Sequence, residues 1–163
     1  MAGTTQGPGH GPSRGRIVRP GWLVALLVWI LFVWGHSLVA GPSSDADSLS
    51  WVARLAPVLD ALGVVGVRAR NHVVRKTAHF CEYLVLGLLD HAAMRPAWRR
   101  PRSRVLPAVL VAALVPCVDE TIQLFVPRRL GSPADVLLDM CGAACGLALA
   151  AVVRRLRARR ARA

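Results

Sequence analysis

Acidic residues are scarce in this chain of 163: nine Asp and Glu stand against 21 Lys and Arg, and charged residues make up only 18%. So few charges, beside 54% hydrophobic residues and a mean hydropathy of +0.43, exclude an ordinary soluble domain and indicate a membrane protein. Recognised reaction motifs are lacking too. There is no Walker loop, cofactor-type glycine fingerprint, zinc-ligand spacing or ordered Ser-His-Asp set, so no reaction type follows from motif. No solenoid-type repeat occurs. The four cysteines, Cys81, Cys117, Cys141 and Cys145, fall in apolar segments without a metal-ligand pattern. They read as small buried apolar residues and say nothing about redox compartment.

What the chain does have is long apolar runs. A spanning helix needs roughly 20 mainly apolar residues. Four segments qualify by length: Trp22 to Ala40, Val73 to Met94, Val105 to Val126 and Ala134 to Val153. The expectation is an all-α, polytopic membrane protein with four transmembrane helices. Residues 1–21, rich in Gly, Pro and Arg, read as a disordered tail, 22–153 as the membrane domain and 154–163 as a basic tail. The first run could instead be a cleaved signal peptide with "LVA" at 38–40 as its site, but Leu38 fits poorly and the run is long, so an uncleaved anchor is the better reading. Between the first two spans, Leu49, Val52, Leu55, Leu59 and Leu62 recur at helical spacing. They predict an amphipathic helix on the outer surface, as a connector or as a lid, with Pro57 working against a straight one.

Arginine placement orients the chain. Arg14, Arg16 and Arg19 precede the first span; Arg95, Arg99, Arg100, Arg102 and Arg104 lie between the second and third; Arg154, Arg155, Arg157, Arg159, Arg160 and Arg162 follow the fourth. Both termini are expected in the cytoplasm, with these arginines meeting anionic lipid. The +12 formal charge then needs no nucleic-acid partner.

The spans are not uniformly apolar. "RKTAHFCEYLVLGLLD" puts Arg75, Lys76, His79 and Glu82 at the start of the second. His79 and Glu82 lie about 9 to 14 Å below its outer end at ~1.5 Å per residue, and Asp119, Glu120 and Gln123 reach a similar depth in the third span. Asp135 and Asp139 begin the fourth. At about 100° per residue, Arg75, His79, Glu82 and Leu86 share a stripe with Lys76 and Tyr83 on its flank. Asp119, Glu120 and Gln123 form one arc, and Asp135, Asp139, Gly142 and Gly146 another stripe. A buried Asp or Lys at mid-bilayer costs about 2.5 to 3.5 kcal/mol on insertion scales. These faces should therefore turn toward each other or toward water, as a polar cluster near the outer leaflet, with Gly142 and Gly146 permitting close helix approach.

Several of the polar residues suit structural roles as well as functional ones. Ser132 and Pro133 fit a helix start, and Asp135 fits as the acid of its first turn. Arg128 and Arg129 could snorkel or pair with buried acids. Pro116 could kink the third span and open a pocket, or merely bend it. His36 and Ser37 could extend the polar site or meet interfacial water. The charges could also neutralise one another, though buried pairs are weak stabilisers.

The residues carrying this pattern, "RKTAHFCEYLVLGLL" and "DETIQLFVPRRLGSPADVLLDMCGAACG", resemble the VanZ-like family of small bacterial membrane proteins. That family's pattern combines K-x-x-H-x-x-E-Y, D-E-x-x-Q, an F-V-P-x-R turn and paired acids before glycines. On it the matching positions are Lys76, His79, Glu82, Tyr83, Asp119, Glu120, Gln123, Arg129, Ser132, Asp135 and Asp139. The resemblance implies a bacterial plasma membrane and, through the family's namesake, a link to teicoplanin-type glycopeptide resistance. It does not supply a mechanism.

Three readings of the site remain open. In an enzyme acting on an anionic lipid head group or lipid-linked envelope precursor, Lys76 and Arg129 clamp phosphate and His79 or Glu82 transfers a proton. Asp119 and Asp139 then orient partners or bind a divalent cation. Glu120 is a further acid-base candidate, and Tyr83, Gln123, Ser132 and Asp135 are binding candidates. A binding protein would use the same pocket without turnover. A proton or ion path would use the acids and His79 as a relay and need oligomerisation of the four spans.

Overall fold

The computed structural model describes residues 19–39, 41–94, 106–127, 129 and 131–162, of which 41–47 as backbone alone. Among the described residues every regular element is helical: α1 (Pro20–Ser37), α2 (Gly41–Arg54), α3 (Ala56–Ala61), α4 (Val67–Ala93), α5 (Leu106–Leu124) and α6 (Pro133–Arg160). The tail expected at 1–21 lies outside the described residues up to residue 18, as do Arg14, Arg16, the five arginines at 95–104 and Arg128.

Three helices, α1, α5 and α6, are long and apolar enough to cross a membrane; among the described residues there are three of these and not the four expected. The helix that falls short is α4. Its 27 residues suffice in length, but His79, Glu82, Asp90 and His91 interrupt its apolar half and Arg68, Arg70, Arg75 and Lys76 fill its first turns. The spanning helices expose Val24, Leu31, Phe32, Leu114 and Leu137, among others, on their outer faces. A water-soluble monomer would rarely leave so much apolar surface bare.

α1, α4, α5 and α6 pack as a bundle, with α4 and α6 in the most extensive contact and α1 touching both α4 and α5. Leu26, Ile30 and Val33 of α1 meet Tyr83, Leu86 and Ala93 of α4, Val115 of α5 and Ala143 of α6 in one core. Glycine sets the α4–α6 distance. A Cβ on Gly146 would overlap the Leu84 carbonyl oxygen, one on Gly87 the Ala143 carbonyl oxygen, and one on Gly142 would come within 2.6 Å of the Phe80 carbonyl oxygen. Gly87 answers the two glycines of α6 from the opposite helix, a reciprocity that the sequence of α6 alone does not reveal. Apolar surface gives helices little reason to associate in lipid, so such backbone approach is a main source of cohesion there.

Two tryptophans fasten α1 to its neighbours. Trp29 Nε1 donates to the Glu82 carbonyl oxygen of α4 at 3.0 Å, and Trp34 Nε1 to the Val115 carbonyl oxygen of α5 at 3.4 Å. The backbone N–H of Arg19 donates to the Ala93 carbonyl oxygen at 2.8 Å, tying the start of α1 to the end of α4. Pro116 lies buried inside α5, which continues through it.

Several expectations need correction. The connector is two helices rather than one, interrupted at Leu55 with Pro57 in the first turn of α3, where a missing N–H is tolerated. Of its apolar residues Val52 and Leu59 are buried, while Leu49, Leu55 and Leu62 are exposed. Gly63 and Gly66, at φ of 69° and 89°, then turn the chain into α4. The basic segment from 154 is helical as far as Arg160, continuous with α6, which leaves open its reading as a tail beyond the membrane domain. All four cysteines are exposed rather than buried; they lie on outer helix faces, where a protein facing lipid can be as apolar as in its interior.

Gly146→Ala should destabilise the protein in mild detergent by about 1 to 3 kcal/mol through overpacking. Gly35→Ala, with nothing within 4 Å of the added methyl, should be neutral or slightly stabilising. Thermal unfolding of both variants checks this, and equal midpoints would refute the role given to the α4–α6 contact.

Candidate functional site

The bundle gathers its polar residues at one end, where α1 and α5 finish and α4 and α6 begin. Each helix contributes because alternate helices run in opposite directions. α4 brings Lys76, His79, Glu82 and Tyr83; α5 brings Asp119, Glu120 and Gln123; α6 brings Asp135 and Asp139. α1 adds His36 and Ser37, and the turn before α6 adds Arg129 and Ser132.

These residues do different work. Lys76 of α4 pairs with Asp135 of α6 at the rim. Ser132 caps α6, its Oγ accepting the Ala134 N–H at 3.2 Å, so Asp135 serves both as first-turn acid and as the partner of Lys76. Glu120 holds the preceding turn: its Oε2 accepts the Ser132 N–H at 2.9 Å and its Oε1 accepts from Gln123 Nε2 at 3.2 Å. A Cβ on Gly131 would come within 2.6 Å of the Glu120 carbonyl oxygen, so that turn lies directly on α5. Glu120 thus positions the α5–α6 turn.

Glu82 faces α1, where His36 Nδ1 lies 3.0 Å from its Oε1. Ser37 is buried, with its Oγ 3.4 Å from Gln123 Nε2, whose two protons are shared among Ser37, Asp119 and Glu120. Both of these α1 residues therefore join the polar cluster, Ser37 buried in it and His36 partly exposed. The inner face of α4 is centred on Tyr83, Leu86, Gly87 and Asp90, so Tyr83 occupies the middle and not the flank of the polar stripe, while His79 and Glu82 sit at its edge. Helix–helix contact, which periodicity cannot supply, causes this rotation.

Deepest lie Asp119 and Asp139, each fully buried, with Tyr83 equally enclosed. Gln123 Nε2 donates to Asp119 Oδ2 at 3.3 Å. Among the described residues both Asp139 oxygens and His79 Nδ1 have no hydrogen-bond partner, and Asp119 Oδ1 and the Tyr83 hydroxyl make none of good geometry, although the Ser37 and Tyr83 hydroxyls lie beside the Asp119 carboxylate. His79 Nδ1 is 3.9 Å from Asp139 Oδ2, too far for a hydrogen bond.

Above this floor opens a cavity of about 390 Å³ lined by Arg68, Arg75, Lys76, Arg129, His72 and His79, with Asn71, Gln123 and Asp135 completing the wall. Arg129 is buried and its Nη2 donates to the His36 carbonyl oxygen at 3.4 Å. Burial, followed by the nearby Arg75 charge, pushes the Arg129 pKa below its usual value. Such a guanidinium gains from an anionic neighbour. Arg68, Asn71 and His72 escape a hydropathy reading that begins this helix at Val73, because their polarity resembles that of a loop, yet they form its first turns.

At the opposite end Asp90 is fully buried, and among the described residues neither of its carboxylate oxygens has a hydrogen-bond partner. A wider groove of about 590 Å³ lies there, where Arg19, His91, Arg154 and Arg157 surround Leu88 and Val153.

No curated protein and no solved structure matches the chain. The VanZ/LLP1 family pattern matches residues 22–154, which take in all six helices but for the first residues of α1 and the last of α6. The match covers well over half of the sequence, and the chain belongs to the VanZ/LLP1 family.

Proposed function

We propose that this protein binds an anionic lipid head group, or the phosphate-bearing part of a lipid-linked envelope component, in the cationic cavity at the start of α4. The observation carrying this reading is the composition of that cavity: four Lys or Arg and two His residues in about 390 Å³. A phosphate group presents several oxygens to such a set, and Arg holds it through paired, charge-assisted hydrogen bonds. The N-terminal ends of α4 and α6 lie at the same end of the bundle and add their positive dipoles.

In this reading α4 is a fourth span, its ionisable face turned into the bundle. What supports it is the packing of α4 against α1, α5 and α6 and the burial of Tyr83, Leu86 and Asp90. The cavity opens at the outer face of a bacterial plasma membrane, both termini are cytoplasmic, and α2 and α3 lie on the outer surface. The arginines of the opposite groove then meet the anionic inner leaflet. Holding an envelope component at the outer face would alter access of a teicoplanin-type glycopeptide to its target.

Native mass spectrometry of the protein extracted from phosphatidylglycerol-containing membranes tests the proposal. Wild type should retain an anionic lipid, and Arg75→Gln combined with Lys76→Gln should lower its occupancy at least about tenfold, since each removed charge-assisted contact is worth roughly 1.5 to 3 kcal/mol. Equal occupancy in the folded double variant would overturn the assignment.

A further inference from the structure

We propose that His79, Asp119 and Asp139 form a binding site for one divalent transition-metal cation of the zinc or manganese class. This goes beyond head-group binding and stands on different atoms from those that line most of the cavity.

Three helices each send one ligand-type side chain to a common point: His79 from α4, Asp119 from α5 and Asp139 from α6. One donor atom of each lies within 4.8 Å of the others. Ligand atoms around an ion at ~2.0 to 2.2 Å lie closer together than that, so small side-chain rotations would complete the set. Both carboxylates are fully buried, and the cluster includes atoms that, among the described residues, make no hydrogen bond of good geometry: Asp119 Oδ1, Asp139 Oδ1 and Oδ2, and His79 Nδ1. Buried polar atoms are nearly always satisfied, and unsatisfied ones in a native interior call for a reason such as an ion.

Neither a shared proton nor a simple ion pair satisfies these atoms as well. A proton shared between the carboxyls would require a hydrogen bond between them, yet neither Asp139 oxygen makes one. A His79–Asp139 ion pair leaves 3.9 Å between the charged atoms and does nothing for Asp119 Oδ1. Of the neighbouring cations, Lys76 pairs with Asp135, and Arg129, which donates to the His36 carbonyl, makes no hydrogen bond to Asp119 Oδ1 or to either Asp139 oxygen.

The donor set narrows the ion. An imidazole nitrogen with two carboxylate oxygens favours zinc or manganese over calcium, which prefers six to eight oxygens, and over magnesium, which keeps much of its water. Gln123, donating to Asp119 Oδ2, would orient that carboxylate as outer partners of metal ligands do. Three protein ligands leave coordination positions for water or for an anionic oxygen. His79 also lines the cationic cavity, so an anion held there would face the ion.

The test uses the full chain in mild detergent, lipid-depleted and free of phosphate, titrated calorimetrically with Mn²⁺ or Zn²⁺ alone after chelator treatment. Wild type should bind one ion per chain. Asp139→Asn and His79→Gln should weaken binding at least about tenfold, while Asp90→Asn, which removes an equally buried carboxylate about three turns along α4, should leave it unchanged. If the site variants fail to fold, wild type alone decides: its unfolding midpoint should rise with added ion. No saturable binding and no midpoint shift in wild type, or unchanged affinity in folded Asp139→Asn, would overturn the site. Failure of the head-group reading is separable, because Arg75→Gln with Lys76→Gln would then leave both lipid occupancy and ion affinity unchanged.

Discussion

The close backbone contact between α4 and α6 is the constraint on which the rest of the structure depends. Three glycines, Gly87, Gly142 and Gly146, let the two helices approach until any Cβ would strike a carbonyl of the facing helix. That contact draws a polar, ion-bearing helix into a bundle whose other members are apolar. It also fixes register: with Gly142 against Phe80 and Gly146 against Leu84, Asp139 comes opposite His79 and Asp135 opposite Lys76. A slip of one turn would separate both pairs at once and leave Asp139 without its neighbour. The glycines and the ionisable residues therefore form one design, in which dispersion contact holds the helices and the charged residues specify their alignment.

The polar end then divides into layers. The outermost is cationic and open, formed by the first turns of α4 with Arg129. Beneath it a hydrogen-bonded layer of Gln123, Glu120, Ser37 and Ser132 joins the ends of α1, α5 and α6. Deepest are Tyr83, Asp119 and Asp139, all fully buried, with His79 between them and the cavity. Burial at the last layer is costly unless something compensates the carboxylates. In the middle layer Glu120 accepts the Ser132 N–H, and beside it Glu82 lies against His36.

Much of this was legible in the sequence, for specific reasons. Long apolar runs located α1, α5 and α6, and a helical repeat of rare charges placed His79, Asp119 and Asp139 at one end of the helices, but did not reveal the layering that leaves Lys76 at the rim and buries the two aspartates. Ser132, Pro133 and Asp135 announced the start of α6 through capping chemistry alone. Other features depend on contact and were not legible. For His36 and Ser37 the sequence left open an extension of the polar site or contact with interfacial water, and the packing of α1 is what brings them to Glu82 and Gln123. Gly87 is one small residue in a Leu-rich run, meaningful only when the facing helix is known. The first turns of α4 carry Arg68 and Arg70, which hydropathy leaves outside a span beginning at Val73 although they belong to the helix. The same charges, with His79, Glu82, Asp90 and His91, separate α4 from the three plainly apolar helices.

The proposed crossing of the membrane by α4, with its polar end outward, is open to a direct test by cysteine accessibility. In a background with Cys81, Cys117, Cys141 and Cys145 replaced by serine, Val65→Cys lies just before α4 at an exposed position, and Ala97→Cys lies beyond its last residue. In intact cells a membrane-impermeant maleimide should label residue 65, and label residue 97 only after permeabilisation. Labelling of both from the same side would contradict a spanning α4, and the outward site with it.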